Sequence, residues 1–154
     1  MMFKHISILA TALLTLGVGC GSLGGGSLIE LEKRGDGLTY RKGDPAPYTG
    51  QLTMTTRGTN EKWVTHFKDG RRDGLFAVFY ANGKRKANAM FSRGKLVSGI
   101  TWKPDGSEGS LIEKGTGTFL MFHPDGSKAR ESVYENGVRI RRSDFPPAGS
   151  ADGK

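Results

Sequence analysis

Short apolar runs alternate with glycine-containing turns from about Leu28 to the end of the chain. The runs are rich in aromatic and β-branched residues, and turns that recur about every 8–12 residues are typical of an all-β protein. No segment between two turns has room for a convincing helix. The predicted turns are 42–44 (KGD), 57–60 (RGTN), 68–70 (KDG), 81–83 (ANG), 93–95 (RGK), 104–106 (PDG), 113–115 (EKG), 124–126 (PDG) and 135–137 (ENG).

Several of these turns contain Asn-Gly or Asp-Gly, which are the strongest short-range signals for a β-hairpin. Both residues favour the positive φ angles that the two central positions of a type I′ turn require. We therefore predict that strands neighbouring in sequence pair antiparallel through tight turns.

The chain also repeats itself. GLFAVFYANG at 74–83 returns as GTFLMFHPDG at 117–126, and FSRG at 91–94 returns as YENG at 134–137, each 43 positions later. The spacing divides into units of two strands and two turns, roughly 20–25 residues long, with a shorter middle unit at 99–115. In this division Gly74, Gly99 and Gly117 each open a strand.

One hairpin buries too little apolar surface to be stable, so neighbouring hairpins must stack. Along 74–83, Phe76, Val78 and Tyr80 face one way, whereas Leu75 and residues 77 and 79 face the other. Both faces are therefore partly apolar. We expect residues 28–142 to form an extended antiparallel β-meander, curled so that one face is better covered.

The first 27 residues have a different composition. Lys4 precedes a run without charge from position 6 to Gly19, which is typical of a secretory signal peptide over residues 1–19, with a signal helix. Cys20 follows at once, and this arrangement resembles a bacterial lipoprotein signal with the small residue before an acylated cysteine, although Gly17 stands where leucine is usual. Ordinary signal cleavage that leaves a free thiol is the alternative. Residues 20–27 would be a lipid-bearing, flexible Gly/Ser tether.

Cys20 is the one cysteine of the 154 residues, so an internal disulfide is excluded. Because residue 21 is glycine and not aspartate, the resemblance implies the outer membrane if the cell has two. We expect an exported, lipid-anchored protein of the cell envelope. The tail at 143–154 is rich in Pro, Gly and small polar residues, and we expect it to be disordered.

The formal net charge is +8, which attracts anionic surfaces. Because alternate turns of a meander lie along one edge, the cations near turns predict a basic rim for an anionic envelope polymer or an acidic protein. A solvated edge that resists aggregation is the alternative. Export argues against nucleic acid as a partner. The cations near turns are Lys68, Arg71, Arg72, Lys84, Arg85, Lys86, Arg93, Lys95, Arg139, Arg141 and Arg142.

Motifs for catalysis, cofactors and metals are missing from the sequence. His66 and His123 have no second His or Cys at ligand spacing, and nucleophile-elbow, phosphate-loop and zincin motifs are lacking. We therefore expect no enzyme activity, no cofactor and no metal, with an envelope hydrolase using His66 or His123 as an open alternative. Aromatic residues in the strands are expected to pack, or to line a partner-binding surface: Trp63, Phe79, Tyr80, Trp102 and Phe122.

The repeat pattern over about 36–141 resembles the variant MORN repeats of bacterial YwqK-type proteins. The matching positions are Gly74, Phe79, Tyr80, Asn82, Gly83, Lys84, Phe91 and Gly94, and then Gly117, Phe122, Gly126, Glu131, Tyr134, Asn136 and Gly137. KGDPAPYTG at 42–50 is similar to the opening repeat of such proteins. The resemblance implies an antiparallel repeat sheet with no known reaction, and a frequent label of antitoxin.

These observations predict a non-enzymatic exported lipoprotein that acts as a binding or scaffold module at the cell envelope, with a toxin or an envelope component as possible protein partner. An immunity or antitoxin protein that neutralises a toxin by direct binding is the alternative. Export argues against a cytosolic antitoxin.

Overall fold

The computed structural model describes residues 29–150, which fold as β-strands and turns without a helix. The predicted signal peptide, Cys20 and the tether lie outside the described residues. The strands are β1 Leu31–Lys33, β2 Thr39–Arg41, β3 Gly50–Thr55, β4 Lys62–Lys68, β5 Arg71–Phe79, β6 Arg85–Ser92, β7 Lys95–Trp102, β8 Glu108–Ile112, β9 Gly117–Phe122, β10 Lys128–Glu135 and β11 Val138–Asp144.

Neighbouring strands pair antiparallel in three sheets. Strands β1 and β2 form a small hairpin, β3 to β8 form a six-stranded meander in chain order, and β9, β10 and β11 form a three-stranded sheet. The prediction of an all-β fold built from antiparallel hairpins is confirmed. The meander is not one continuous sheet, because ladder pairing stops after β8 and only a single bridge, Glu113 to Thr116, links the strands on either side.

The turns at the two ends of the hairpins differ. At one end, two consecutive residues have positive φ, as a type I′ turn requires: Asp69-Gly70, Arg93-Gly94, Lys114-Gly115 and Asn136-Gly137. At the other end only the glycine has positive φ, at Gly83, Gly106 and Gly126, and the preceding Asn or Asp side chain instead accepts a backbone N–H two residues on. The expectation of type I′ geometry therefore fails at Asn82, Asp105 and Asp125.

The repeat is visible in the hydrogen bonds as well as in the sequence. A side-chain oxygen accepts the backbone N–H of the residue 20 positions later in three places: Thr49 to Asp69, Asp73 to Arg93, and Thr116 to Asn136. Each bond ties a type I′ turn to the preceding unit. This agrees with the predicted unit of two strands and two turns, because equivalent turns stack at one end of the sheets.

Two glycines let the three-stranded sheet pack on the six-stranded one. A Cβ at Gly99 would lie 2.7 Å from Phe119 Cε2, and a Cβ at Gly109 would lie 2.2 Å from Phe122 Cε2. Gly99 is thus a packing glycine inside β7, and Gly74 also lies inside its strand; neither opens a strand as the sequence predicted. The core between the sheets contains Phe76, Val78, Ala87, Ala89, Phe91, Leu96, Ile112, Phe119 and Met121.

The C-terminal boundary also differs from the prediction. The disordered tail was expected from Ser143, but that residue and Asp144 belong to β11. Beyond the strand, the Phe145 N–H donates to the Ala129 carbonyl and the Ala148 N–H donates to Asp125. These bonds lay residues 145–148 against the β9–β10 hairpin, and positions 151–154 lie outside the described residues.

Candidate functional site

A cavity of about 110 Å³ lies between the six-stranded and the three-stranded sheet. Both sheets contribute to its walls, so it exists only because the meander folds back on itself. Apolar side chains dominate its depth and cations its mouth. The lining residues are Trp63, Arg72, Phe76, Ala89, Phe91, Leu96, Phe119, Met121, Arg130, Ser132, Tyr134, Arg139 and Arg142.

Three aromatic rings on the six-stranded sheet form one wall. The Trp63 and Phe76 rings lie 5.7 Å apart and the Phe76 and Phe91 rings 6.0 Å apart, both in edge-to-face geometry. Neighbouring strands β4, β5 and β6 supply these rings, which is why they stand in a row. Edge-to-face contacts hold aromatic rings in preferred orientations. This wall is therefore formed before any ligand arrives.

Arg72 reaches over that wall. Its guanidinium carbon lies 5.5 Å from the centre of the Phe76 ring and 5.6 Å from that of the Phe91 ring, which is cation–π geometry. The crowding of protein atoms around the guanidinium lowers the pKa of Arg72; Tyr134 opposes this effect, and the positive charge of Arg139 adds to it. Arginine remains cationic at neutral pH all the same. Among residues 29–150, Arg72 has no side-chain hydrogen bond and no carboxylate partner.

The other three arginines come from the three-stranded sheet. Arg130 and Arg142 share the Asp144 carboxylate, at 2.5 and 2.8 Å. The hydrogen bonds from Arg142 and then Arg130 lower the pKa of Asp144 to about 2. Arg139, which like Arg72 lines the cavity, has no ion pair within the described part of the chain. Arg130 and Arg142 are therefore paired with a carboxylate, whereas Arg72 and Arg139 are not.

Trp63 adds a hydrogen-bond donor without an acceptor. Its indole Nε1 is buried and has no partner among residues 29–150. Buried donors are nearly always satisfied in native proteins, so an isolated one calls for an explanation. The ring to which it belongs lines the cavity. This nitrogen has almost no accessible surface, so the positive charge and the N–H donors that the cavity offers to an oxyanion come from the two arginines without a carboxylate partner.

The five aromatic residues predicted as a partner-binding surface do not come together. Trp63 lines the cavity, whereas Tyr80 and Phe122 are buried in packing. The Tyr80 hydroxyl donates to the Trp102 carbonyl at 2.8 Å. Because side chains alternate along a strand, Phe79 and Trp102 lie on the opposite face of the six-stranded sheet, where both are half-buried.

Sequence reasoning missed most of the cavity. Of the aromatic wall it singled out Trp63, and it included Arg72, Arg139 and Arg142 among the cations near turns. The signal for the rest was present in the repeat itself, because Phe76 and Phe91 are equivalent, 43 positions earlier, to Phe119 and Tyr134. All four of these residues line the cavity.

One residue of the predicted basic rim is in a different environment. Lys86 is only 4% exposed and pairs with the equally buried Glu61 at 2.5 Å. Its ammonium group also lies 5.1 Å from the centre of the Tyr80 ring. Lys86 therefore fixes the packing at that end of the six-stranded sheet and is not available to a partner.

The two histidines make similar, separate contacts. A ring nitrogen of His66 bonds to the Leu75 carbonyl at 2.9 Å, and one of His123 bonds to the Phe145 carbonyl at 2.8 Å. Since a carbonyl only accepts, each of these nitrogens carries the proton. Within the described residues, no three His, Cys, Asp or Glu side chains form a group suited to a metal ion.

The face of the six-stranded sheet away from the cavity stays uncovered by the described chain. Leu75, Met90 and Leu111 are 41%, 45% and 60% exposed there. Residues 29–150 contain no helix that could span a membrane. Comparison of the chain with protein-family models, with curated proteins and with solved structures finds no match.

Proposed function

We propose that this protein is a non-enzymatic, exported lipoprotein that acts as a binding module at the cell envelope and holds an anionic partner in the cavity between its six-stranded and three-stranded sheets. The observation that carries the proposal is the pair of uncompensated arginines, Arg72 and Arg139, at the mouth of an aromatic-lined cavity. Arginines of this kind, beside preformed apolar walls, are typical of sites that recognise carboxylate or phosphate groups.

The lining supports binding rather than catalysis. Ser132 and Tyr134 are the hydroxyl-bearing residues that line the cavity, and no imidazole, thiol or carboxylate of the described residues lines it beside them. A serine nucleophile needs an adjacent general base. Arginines are poor general bases because they stay protonated. The site is therefore suited to holding a ligand in place.

The location at the envelope rests on the leader. A signal over residues 1–19, Cys20 as the lipid-bearing residue and a Gly/Ser tether would hold the binding domain at a membrane surface. The intact mass of the protein from its host tests this part. A chain that begins at Cys20 and carries acyl mass is the expected result. A full-length chain recovered from the cytosol would contradict it.

Binding is tested by native mass spectrometry of the protein extracted from the envelope in a mild detergent. We expect a non-covalent adduct that Arg72→Met loses and that Arg85→Met keeps, because Arg85 is an exposed cation of the same sheet outside the cavity. A bare protein, or equal adducts in both variants, would contradict the proposal. A stoichiometric protein partner bound independently of Arg72 would favour the immunity or antitoxin role instead.

A further inference from the structure

Two of the arginines that line the cavity already hold a carboxylate, that of Asp144, which is not itself part of the lining. Asp144 lies between Arg130 and Arg142, with oxygen-to-nitrogen distances of 2.5 and 2.8 Å. Arg72 and Arg139 line the same cavity and have no such carboxylate within residues 29–150. Of the four arginines that line the cavity, two share a carboxylate and two have none.

We propose that the cavity binds a carboxylate carried on a short apolar group, with the carboxylate held by Arg72 and Arg139 and the apolar group packed against Trp63, Phe76 and Phe91. The inference rests on the proposed function and names the chemistry of its ligand. The planar, forked guanidinium matches the geometry of a carboxylate, so the fit is directional as well as electrostatic.

Charge supports this assignment. The Arg72 guanidinium lies against two aromatic rings, although the residue as a whole is exposed, and the positive charge of Arg139, which is also exposed, acts on it. Two like charges near each other repel, and beside apolar rings that repulsion is less screened than in bulk water. A single anion between them would relieve that repulsion. A neutral ligand of the same shape would not.

The size of the cavity sets the size of the apolar group. A dry cavity of about 150 Å³ accommodates benzene, and this one is about 110 Å³. A branched aliphatic group of a few carbon atoms fits better than an aromatic ring. The probe of choice is therefore 3-methylbutanoate. Its neutral match is 3-methylbutanamide, and acetate is the match that keeps the charge but lacks the apolar group.

The two tryptophans of the chain make the test specific. Trp63 lines the cavity, and its indole N–H has no acceptor in the described structure. Trp102 lies on the other face of the sheet and is the internal control. In the whole protein, purified in a mild detergent and labelled with ¹⁵N-tryptophan, the two indole resonances report the two faces separately.

We expect 3-methylbutanoate to shift the Trp63 indole resonance saturably, with a Kd on the order of 1 mM for so small a ligand, and to leave Trp102 in place. The amide and acetate should bind at least about tenfold more weakly, because each lacks one of the two contacts. Equal binding of the amide, or a Trp63 resonance that no concentration of 3-methylbutanoate moves, would overturn the inference.

Two variants distinguish binding in the cavity from a nonspecific effect of the protein's positive charge. Arg72→Met keeps an unbranched apolar stem but removes the guanidinium and its charge, and we expect 3-methylbutanoate to bind about tenfold more weakly or worse. Arg85→Met, with the same loss of charge outside the cavity, should bind like the wild type. An unchanged Trp102 resonance in both variants shows that the sheet is folded. Equal loss in both variants would overturn the inference.

A carboxylate on an apolar group can come from a free acid or from the C-terminus of a peptide. The peptide Gly-Gly-Leu and its C-terminal amide distinguish these sources. Binding of the free peptide in preference to 3-methylbutanoate identifies a chain terminus, and binding of 3-methylbutanoate alone identifies a free acid; either result supports the site. Equal binding of the peptide and its amide would contradict it.

This test and the test of the proposed function fail separately. If the envelope extract yields an Arg72-dependent adduct that proves to be an anion without a carboxylate, such as a phosphate, and 3-methylbutanoate does not bind, the protein is a binding module for a different anion and the inference is wrong. If 3-methylbutanoate binds through Arg72 but the extract carries no adduct, the site stands and the proposed function is wrong.

Discussion

The hairpins β5–β6 and β9–β10 are two copies of one sequence pattern, 43 positions apart. Phe76 and Val78 in the first copy correspond to Phe119 and Met121 in the second, and all four side chains belong to the same core. The first copy lies in the middle of the six-stranded sheet and the second in the three-stranded sheet. Equivalent faces of the two copies therefore meet across one core, which a continuous meander would not allow.

The two copies keep one contact while changing the residue that makes it. The Tyr80 hydroxyl donates to the carbonyl of Trp102, and a ring N–H of its counterpart His123 donates to the carbonyl of Phe145, in each case 22 residues further on. Both bonds tie a hairpin turn to the chain of the next unit. The repeat therefore conserves a position for a donor rather than one residue type.

The copies differ most in their charges. Lys86 in the first copy is buried against Glu61, whereas the position 43 residues later is Ala129. The second copy and the adjoining strand β11 instead carry more exposed ion pairs, such as those of Asp144 with Arg130 and Arg142. A hairpin flanked on both sides must pair any charge that it buries, and a hairpin near the edge can leave its charges in water.

The largest expected effect comes from breaking the charge pair of the first copy. Replacing Glu61 by Ala leaves the Lys86 ammonium buried without a carboxylate, and loss of one partner of a buried pair costs about 3–5 kcal/mol. Urea denaturation measures the free energy of unfolding. Glu131→Gln, which removes the partner of Lys128 and Arg141 in the second copy, is the control and should change it far less. A similar loss of unfolding free energy in both variants would contradict the proposed difference between the buried and the exposed ion pairs.

The next-largest effect tests how the second copy packs against the six-stranded sheet. Gly109→Ala places a Cβ 2.2 Å from the Phe122 ring and 2.8 Å from Thr101 Oγ1, so the three-stranded sheet must shift outward. Overpacking of this kind costs about 1–3 kcal/mol. Gly35→Ala is the matched control, since a Cβ there meets nothing within 4 Å. If Gly109→Ala unfolds at the same urea concentration as Gly35→Ala, the two sheets do not pack at this point.

A smaller effect is expected for the shared donor. Tyr80→Phe removes the hydroxyl that bonds to the Trp102 carbonyl, in a position where burial raises the pKa of Tyr80 and so disfavours the phenolate. Loss of one such bond costs about 1 kcal/mol. Thermal or urea unfolding measures it. No loss of stability in Tyr80→Phe would show that this bond does not stabilise the first copy.

The smallest effect is a dependence on pH that belongs to the three-stranded sheet, which contains the second copy. The pKa of Asp144 is lowered from 3.8 to about 2 in the folded protein by Arg142 and Arg130. A lowered carboxyl pKa stabilises the fold above the unfolded value, and that contribution is lost as the pH falls from about 4 to about 2. The stability difference between wild type and Asp144→Asn should therefore shrink over this window. If the stability difference between wild type and Asp144→Asn stays constant with pH, the Asp144 carboxylate does not stabilise the fold through its lowered pKa.

The sequence alone predicted the strands, the antiparallel hairpins and the repeating unit. These depend on local information: alternating apolar positions, glycine in turns that need positive φ, and a spacing at which equivalent residues return. The turns at Asn82, Asp105 and Asp125 were assigned the wrong geometry, because these side chains accept a backbone N–H instead of adopting positive φ.

The tertiary structure decided where the meander folds back, and with it the cavity. Nothing local marks Gly99 and Gly109 as the places where two phenylalanine rings enter, because that depends on a strand arriving from the other sheet. For the same reason Lys86, one of several cations near turns, is buried in an ion pair, whereas Arg72 lies open beside aromatic rings. Sequence determines what each strand presents on its two faces, but only packing determines which faces meet.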